Sequence, residues 1–193
     1  MGRPRTFEEE SVLTGAMEAF RRFGFGAVSI RDLEAATGLK AGSLYNAYGD
    51  KNGVFHAAMA HYNQAVLRGR IIEHAAEGAG LTGLRSLFLT LLHEPDQGSL
   101  GCLITNSVIE FGGERTLPAD VSDGLGILAD MLVKRLRACR RDGELADGQR
   151  PEVAATRLLA LYQGVLVLIR ASWDKVALEK MIRDEFAFLG ARR

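Results

Sequence analysis

Polar side chains of several types stand close together in the stretch from Lys40 to Lys51. The hydroxyls of Ser43 and Tyr45 can donate hydrogen bonds to phosphate oxygens, and the amide of Asn46 can pair with the edge of an adenine. Lys51 begins a segment of helical periodicity, so its charge would add to the partial positive charge of a helix N-terminus. This combination suits a surface that binds nucleic acid. Packing in the interior is the less favoured alternative for Tyr45, and it is the preferred role for Leu44 and Tyr48.

Two cysteines are the other candidates for chemistry. Cys102 opens an apolar helical segment, and a thiol near a helix N-terminus ionises more readily, which favours reaction with electrophiles. The alternative is a small buried core residue, the commoner role of a single cysteine in an apolar stretch. Cys139 lies near a helix C-terminus, which opposes ionisation even though Arg135 stands one turn earlier. We expect Cys139 to be structural and keep both roles open for Cys102.

Motifs for catalysis and for metal binding are missing from the sequence. It contains no glycine-rich phosphate loop, no His-Glu-x-x-His zinc helix and no nucleophile elbow. The 4 histidines are too dispersed for a spaced metal motif. We therefore expect a protein that is not an enzyme and that has no metal and no cofactor.

Helices must position these side chains, because apolar residues recur at three- and four-residue spacing along the chain. The 4 prolines and most of the 22 glycines fall between such segments. The sequence predicts an all-α fold with a first helix from Phe7 to Gly24 and later helices near 30–37, 41–48, 51–76, 82–93, 100–111, 119–142, 151–172 and 174–189.

The first three helices predict a helix-turn-helix. Ser29 and Asp32 form a capping signal, Gly38 marks a tight turn, and Asp50 is placed to cap the helix that starts at Lys51. Two short helices joined by a glycine turn on a preceding amphipathic helix have the arrangement that places a recognition helix in the DNA major groove. Helical hairpins of this kind also occur as plain packing units, so the pattern alone leaves DNA binding undecided.

The residues from Ser29 to Phe55 resemble the DNA-binding segment of the TetR family of transcriptional regulators. The resemblance is carried by Ala16, Phe20 and Gly24, then Thr37-Gly38-Leu39, Gly42-Ser43-Leu44-Tyr45 and Tyr48-Gly49-Asp50-Lys51. It implies a helix-turn-helix DNA-binding domain at 1–53 and a helical effector-binding and dimerisation domain at 54–193. The partners that it implies are a double-stranded DNA operator, a small-molecule effector and a second copy of the chain.

The same resemblance implies particular DNA contacts. The second short helix would enter the major groove, and the arm with Arg3 and Arg5 would reach the minor groove, where the local potential attracts arginine. Gly42 would allow close approach of the backbone. The implied contact residues are Arg3, Arg5, Ser29, Lys40, Ala41, Gly42, Ser43, Tyr45, Asn46 and Lys51.

Three residues depart from the common family pattern. Lys40 occupies a turn position that is usually a small capping hydroxyl, Ala41 stands where a basic residue is frequent, and Glu34 replaces a small residue in the first short helix. Lys40 could take the place of the basic residue that is frequent at position 41. The phosphate contact would then be kept, shifted by one position along the chain. The base preference of the family therefore does not carry over to this sequence.

The C-terminal helices supply candidates for an effector pocket and a dimer interface. Gly101-Cys102-Leu103 resembles a segment in a branch of the family that includes regulators responding to electrophiles and oxidants. An apolar pocket with a few polar anchors would use Met59, Tyr62, Phe88, Leu92, Cys102, Asn106, Tyr162 and Trp173, all of which could instead be core residues. The expected dimer interface, within 151–189, is Leu158, Leu161, Val165, Leu168, Ile169, Met181 and Phe186.

Composition and charge exclude the extreme classes of protein. The chain has 193 residues with 24 basic and 24 acidic side chains, and its neutral total argues against indiscriminate binding to nucleic acid. With 2 cysteines and no apolar leader, it is expected in the cytoplasm. The longest apolar tract, 158–169, is too short to span a bilayer.

The first hypothesis is a repressor-like dimer that is released from a palindromic operator by a small molecule. One alternative within this class is a thiol sensor that reacts at Cys102. A second is a helical enzyme or small-molecule carrier that keeps a vestigial helix-turn-helix, and a third is a helical adaptor. The missing catalytic constellation weighs against the enzyme, and the basic arm together with Tyr45 and Lys51 weighs against the adaptor.

Overall fold

The computed structural model describes residues 6–93, 100–112 and 116–190, and within these ranges every regular element is a helix. The predicted all-α fold is confirmed. The α-helices are α1 (Thr6–Ala27), α2 (Ile30–Thr37), α3 (Ala41–Tyr48), α4 (Lys51–His61), α5 (Gly69–His74), α6 (Gly80–Thr90), α7 (Leu103–Phe111), α8 (Ala119–Arg141), α9 (Pro151–Arg170) and α10 (Lys175–Gly190). A π-helical stretch, Tyr62–Arg68, joins α4 to α5, so the segment predicted as one helix is continuous.

The contacts divide the chain into two compact units. Met1–Leu67 and Cys102–Gly124 form the first, and Arg68–Gly101 and Leu125–Arg193 form the second. The expected division between 53 and 54 falls inside α4, and it remains a prediction.

The core of the first unit is built on α1, which packs against α2, α4 and α7. Its face of Ala16, Phe20 and their neighbours is buried, as the periodicity predicts. Gly15 allows the close approach of α2, because a Cβ at this position would clash with the carbonyl oxygen of Ala36. The ring centroids of Phe20 and Phe55 are 5.1 Å apart in an edge-to-face arrangement, which adds a favourable aromatic contact to the burial.

The second unit has α9 and α10 against α6. The ring of Phe88 contacts the rings of Tyr162 and Phe186 edge-on, at centroid distances of 5.4 Å and 5.3 Å. A near-continuous apolar surface on a helix must be covered on most sides, and much of the surface of α9 is covered within this unit.

Burial in the second unit corrects part of the expected dimer interface. Leu158, Val165, Ile169 and Phe186 are at most 5% exposed, so they stabilise the core of one chain and cannot form the outer face of a dimer. Leu161 and Leu168 are half-buried, and Met181 is 37% exposed. Periodicity identified the apolar residues of these helices, but it could not tell which of them a neighbouring helix already covers.

The apolar tract 158–169, which was expected to be too short for a membrane span, lies within the longer helix α9. Pro151–Arg170 has 20 residues and is apolar enough to cross a membrane by length and composition alone. Length therefore does not exclude a span. The side chains of Leu158, Val165 and Ile169 are buried within the second unit, as in a core helix.

Candidate nucleic-acid interface

The helix that precedes the recognition helix has both ends capped. The Ser29 hydroxyl accepts the backbone N–H of Asp32 at 3.2 Å, and the Asp32 carboxylate accepts the backbone N–H of Ser29 at 2.8 Å. This reciprocal pair is a capping box, which confirms the predicted start of α2. The Ser29 hydroxyl and backbone N–H donate to Asp32 and lower the pKa of its carboxyl group. At the other end, Gly38 adopts the left-handed conformation, with φ 71°.

The turn between α3 and α4 is fixed by a second predicted cap. The Asp50 carboxylate accepts the backbone N–H of Gly53 at 2.9 Å, and this hydrogen bond lowers the pKa of Asp50. Gly53 has no room for a side chain, because a Cβ would clash with the carbonyl oxygen of Tyr48. The cap places Lys51 in the first turn of α4, next to the end of α3.

Helix α3, the predicted recognition helix, has one buried side and one open side. Leu44 is fully buried and anchors α3, as expected. Ser43 and Asn46 are exposed, and Tyr45 is half-buried. Gly42 has open space around it, so another backbone could approach it closely. The structure thus brings the predicted contact side chains of α3 to the surface of a single short helix.

A cavity of about 450 Å³ adjoins the same helix; its lining residues are Glu9, Val12, Leu39, Ser43, Asn46, Ala47 and Tyr48. The pKa of the Tyr48 hydroxyl is raised by its burial and by the negative charge of Glu9. Glu9 is exposed at the start of α1, so a carboxylate borders the surface on which Ser43 and Asn46 lie. The packing role expected for Tyr48 agrees with its half-buried position.

Two of the departures from the family pattern compensate for each other. Lys40 occupies the N-cap position of α3, and its side chain makes no capping hydrogen bond. The Glu34 carboxylate, from α2, instead accepts the backbone N–H of Ala41 at 2.8 Å. A carboxylate near the first turn of a helix also interacts favourably with the helix dipole. The bracing helix therefore supplies the cap that the turn residue lacks.

Lys51 is held against the end of α1. Its ammonium group donates to the carbonyl oxygen of Gly26 at 3.4 Å and lies 4.9 Å from the centroid of the Phe25 ring. An ammonium group has three donors, so this contact leaves donors for a phosphate. The other predicted basic contacts, Arg3 and Arg5, lie outside the described residues.

Glu110 is a contributor that the sequence did not assign to this region. Its carboxylate accepts the backbone N–H groups of Phe25 and Gly26, at 2.7 Å and 2.5 Å. Glu110 is 85 positions from Phe25 and 84 positions from Gly26 along the chain, so no local sequence pattern could indicate these hydrogen bonds. The first helix was expected to end at Gly24, whereas the structure continues α1 to Ala27 with a kink at Gly24.

The predicted effector-pocket residues are divided between the two units. Met59, Tyr62, Cys102 and Asn106 belong to the first unit, and Phe88, Leu92, Tyr162 and Trp173 belong to the second. The Tyr62 hydroxyl donates to the Cys102 sulfur at 3.2 Å, and both residues are buried. The Asn106 amide donates to the carbonyl oxygen of Arg21 at 3.3 Å. Trp173 is 59% exposed, so it lines the interior less well than the other seven.

Cys139 lies in surroundings that disfavour its thiolate. Burial, with the nearby negative charges of Glu144 and Asp142, raises the pKa of the Cys139 thiol to about 11. It is 1% exposed, which agrees with the structural role expected for it. Among the residues that the structure describes, no group of three or more His, Cys, Asp or Glu side chains is placed to hold a metal ion.

One segment of the first unit is similar to a known family of proteins. Residues 12–58 match the family model described as "Bacterial regulatory proteins, tetR family". An uncharacterized HTH-type transcriptional regulator of Bacillus subtilis (strain 168), YezE, is 31% identical over 113 residues, which are 57% of this chain and 58% of YezE. The HTH-type transcriptional repressor ComR of Escherichia coli (strain K12) is 41% identical over 61 residues, or 32% of this chain and 29% of ComR. The chain thus matches less than two thirds of the length of either relative.

The whole chain has a known fold. It superimposes with a TM-score of 0.78 on the TetR family transcriptional regulator CifR, a cysteine mutant complexed with 26bp double-strand operator DNA, covering 96% of this chain and 98% of CifR at 24% identity. The match at 12–58 contains α2 and α3 with their capped ends. Residues 12–58 are thus similar to the DNA-binding segment of the TetR family of transcriptional regulators, and the chain as a whole has the fold of CifR.

Proposed function

We propose that the chain is a cytoplasmic homodimeric repressor that binds a palindromic DNA operator and releases it when a small molecule binds or reacts. The observation that carries this proposal is the open side of α3, where Ser43 and Asn46 are exposed beside Tyr45. Lys51, in the first turn of α4, adds an ammonium group that lies at the end of α1 on the Gly26 carbonyl oxygen.

In the proposed complex, α3 enters the major groove. The exposed amide of Asn46 can read an adenine edge, and the hydroxyls of Ser43 and Tyr45 can donate to phosphates. Lys51 and the N–H groups of the first turn of α4 would bind a further phosphate. Buried Leu44 and the Glu34 cap would hold α3 rigid enough for these contacts.

Two similar proteins support the proposal. ComR is named as a transcriptional repressor and is 41% identical to this chain over 61 residues. CifR, which shares the fold, has been studied in complex with operator DNA. We extend repression and operator binding to this chain on that basis and on the exposed face of α3.

Dimerisation is proposed through the outer faces of α9 and α10. A groove in the second unit is lined by Leu161, Ala177 and Met181, with the charged residues Lys180, Asp184 and Glu185. Val167 and Val176, 43% and 76% exposed, extend the apolar surface of these two helices. A twofold interface must be complementary to itself, and a surface with apolar residues and charges of both signs meets that requirement.

We propose a non-covalent effector site among the helices of residues 54–193. A thiol sensor at Cys102 is a second candidate. The observation that favours the sensor is the hydrogen bond from the Tyr62 hydroxyl to the sulfur of Cys102, the residue that precedes α7. Next to Tyr62, the Asn63 amide oxygen is buried with no hydrogen-bond partner among the described side chains and backbone. A ligand that supplies a donor to this oxygen would relieve an unfavourable buried acceptor.

The test of DNA binding uses a duplex selected by the purified wild-type protein from random-sequence DNA. Tyr45→Ala and Lys51→Ala should each weaken binding about tenfold, because each removes a phosphate contact, and both should remain dimers. Arg141→Ala, an exposed basic residue at the end of α8, is the control that should bind as wild type does. If no duplex is selected although the protein binds small molecules, the carrier hypothesis replaces the regulator.

Salt dependence provides a second measurement of the same complex. The first 53 residues hold seven basic and seven acidic side chains, so binding must depend on where the charges lie. Arg3, Arg5, Lys40 and Lys51 would neutralise on the order of eight phosphates in a dimer, which gives a slope of about −7 on a plot of log affinity against log salt. A nearly flat dependence would contradict these contacts.

A further inference from the structure

The kink in α1 leaves backbone donors that the helix itself does not satisfy. Gly24 has φ 77° and ψ 167°, which interrupts the helical hydrogen bonds. The next turn starts afresh, with the carbonyl oxygen of Gly24 accepting the N–H of Val28 at 3.2 Å. The first N–H groups of a new turn have no acceptor within the helix, and here they belong to Phe25 and Gly26.

The carboxylate of Glu110 satisfies both of these donors. It accepts the N–H of Phe25 at 2.7 Å and that of Gly26 at 2.5 Å. Hydrogen bonds to a charged acceptor are about twice as strong as those between neutral groups. A Cβ at Gly24 or Gly26 would lie 3.0 Å or 3.1 Å from a carboxylate oxygen, so the two glycines leave room for the side chain.

The opposite side of the same turn holds Lys51. Its ammonium group donates to the carbonyl oxygen of Gly26, whose N–H is bound by Glu110. It also lies over the ring of Phe25, whose N–H is bound by the same carboxylate. The position of the Lys51 ammonium therefore depends on a turn that Glu110 fixes.

Glu110 is itself fixed by the end of α7. The ring of its neighbour Phe111 lies 5.2 Å from the ring of Phe25 and 5.5 Å from that of Phe55, which anchors this end of the helix in the core of the first unit. At its other end, α7 follows Cys102, which accepts the Tyr62 hydroxyl. The helix thus links the Cys102 region to the turn that holds Lys51, over about 14 Å.

We propose that Glu110 is a positioning residue for operator binding: its carboxylate fixes the turn Gly24–Gly26 and thereby places Lys51 for a phosphate. This inference rests on the proposed function. It predicts that the Glu110 carboxylate strengthens operator binding, although a negative charge near bound DNA would by itself weaken the complex. A shift of α7 would move this carboxylate and so alter operator affinity.

The experiment compares Glu110→Gln with Asp123→Asn, which removes an exposed carboxylate from the same unit. Affinity is measured by fluorescence anisotropy at several salt concentrations, on the duplex selected by the wild-type protein. Glu110→Gln should bind about tenfold more weakly, with a salt slope shallower by about 2 for a dimer that loses two lysine contacts. If Glu110→Gln binds the duplex as tightly as the wild type or more tightly, Glu110 is an ordinary surface charge and the proposal is overturned.

Two further variants separate positioning from folding. Glu110→Asp keeps the charge but shortens the side chain, so it should also weaken binding while its thermal unfolding and dimer mass stay near those of the wild type. In the Lys51→Ala background, Glu110→Gln should have little further effect, because the group that it positions is gone. Additive losses would overturn the inference even if the wild type binds DNA, whereas failure of the wild type to bind any duplex would overturn the proposed function itself.

Discussion

The Glu34 carboxylate on α2 accepts the backbone N–H of Ala41, the first residue of α3, at 2.8 Å. This hydrogen bond joins the two helices of the helix-turn-helix across their turn. Lys40, at the N-cap position of α3, makes no such bond with its side chain. The start of the recognition helix therefore depends on a residue seven positions earlier.

Removing this contact should loosen α3, and a local cap should restore it. Glu34→Ala should lower the free energy of unfolding by about 1 kcal/mol, as for the loss of an N-cap, and weaken operator binding. Adding Lys40→Ser to this variant supplies a hydroxyl at the N-cap and should recover most of the stability. Chemical denaturation of both variants and of Lys40→Ser alone measures the effect, and a double variant no more stable than Glu34→Ala would contradict the capping role.

Acid should weaken the helix-turn-helix through its two aspartate caps. The pKa values of Asp32 and Asp50 are lowered from 3.8 in the folded state by the hydrogen bonds that they accept. Their stabilising effect is complete above the unfolded value near 3.8 and is lost as the pH falls through the lower folded values. Thermal unfolding below about pH 4 should therefore depend less on pH in Asp50→Asn than in the wild type. Asp130→Asn, an exposed mid-helix position in α8, is the control and should follow the wild type.

A charge on the outer face of α9 or α10 should separate the dimer. Val167→Asp and Met181→Asp place a carboxylate at exposed apolar positions of the proposed interface, where burial against the second copy would be costly. Sedimentation should show monomers that stay folded. Ile72→Asp, at a position 71% exposed on α5, should leave the dimer intact. Dimers of wild-type stability in both interface variants would move the interface to another face.

The two cysteines offer a matched test of thiol sensing. A reactive electrophile should release DNA from the wild type and from Cys139→Ser, but not from Cys102→Ser, if Cys102 is the sensor. Cys139 is a suitable comparison because it is equally buried and burial raises its thiol pKa to about 11. Equal release from wild type and Cys102→Ser would remove Cys102 from the mechanism and leave a non-covalent effector as the signal.

Contacts close in sequence were predictable, and distant ones were not. Ser29 with Asp32, and Asp50 with Gly53, are three positions apart, and their residue types alone indicate helix starts. Lys40 and Glu34 both depart from the family pattern, but nothing in their residue types or spacing connects them. The link from Glu110 to Phe25 spans 85 positions and became visible only with the fold.

The same limit applies to the apolar helices of the second unit. Helical periodicity marks Leu158, Val165 and Phe186 as apolar-face residues, and it marks Met181 in the same way. Whether such a residue is covered by its own chain or remains exposed depends on tertiary packing, which covers the first three and leaves Met181 37% exposed. A single sequence therefore predicts the helices of an interface better than the residues that form it.

Helix α9 is covered by one helix that precedes it in the sequence and by another that follows it. This order has a consequence while the chain is being synthesised. It contacts α6, which the ribosome makes earlier, through Phe88 and Tyr162, and it contacts α10, which the ribosome makes last. Until α10 has emerged, part of an apolar helix of 20 residues has no cover, and exposed apolar surface of this kind promotes aggregation. A chain that stops after Ser172 should therefore accumulate in inclusion bodies or associate with chaperones.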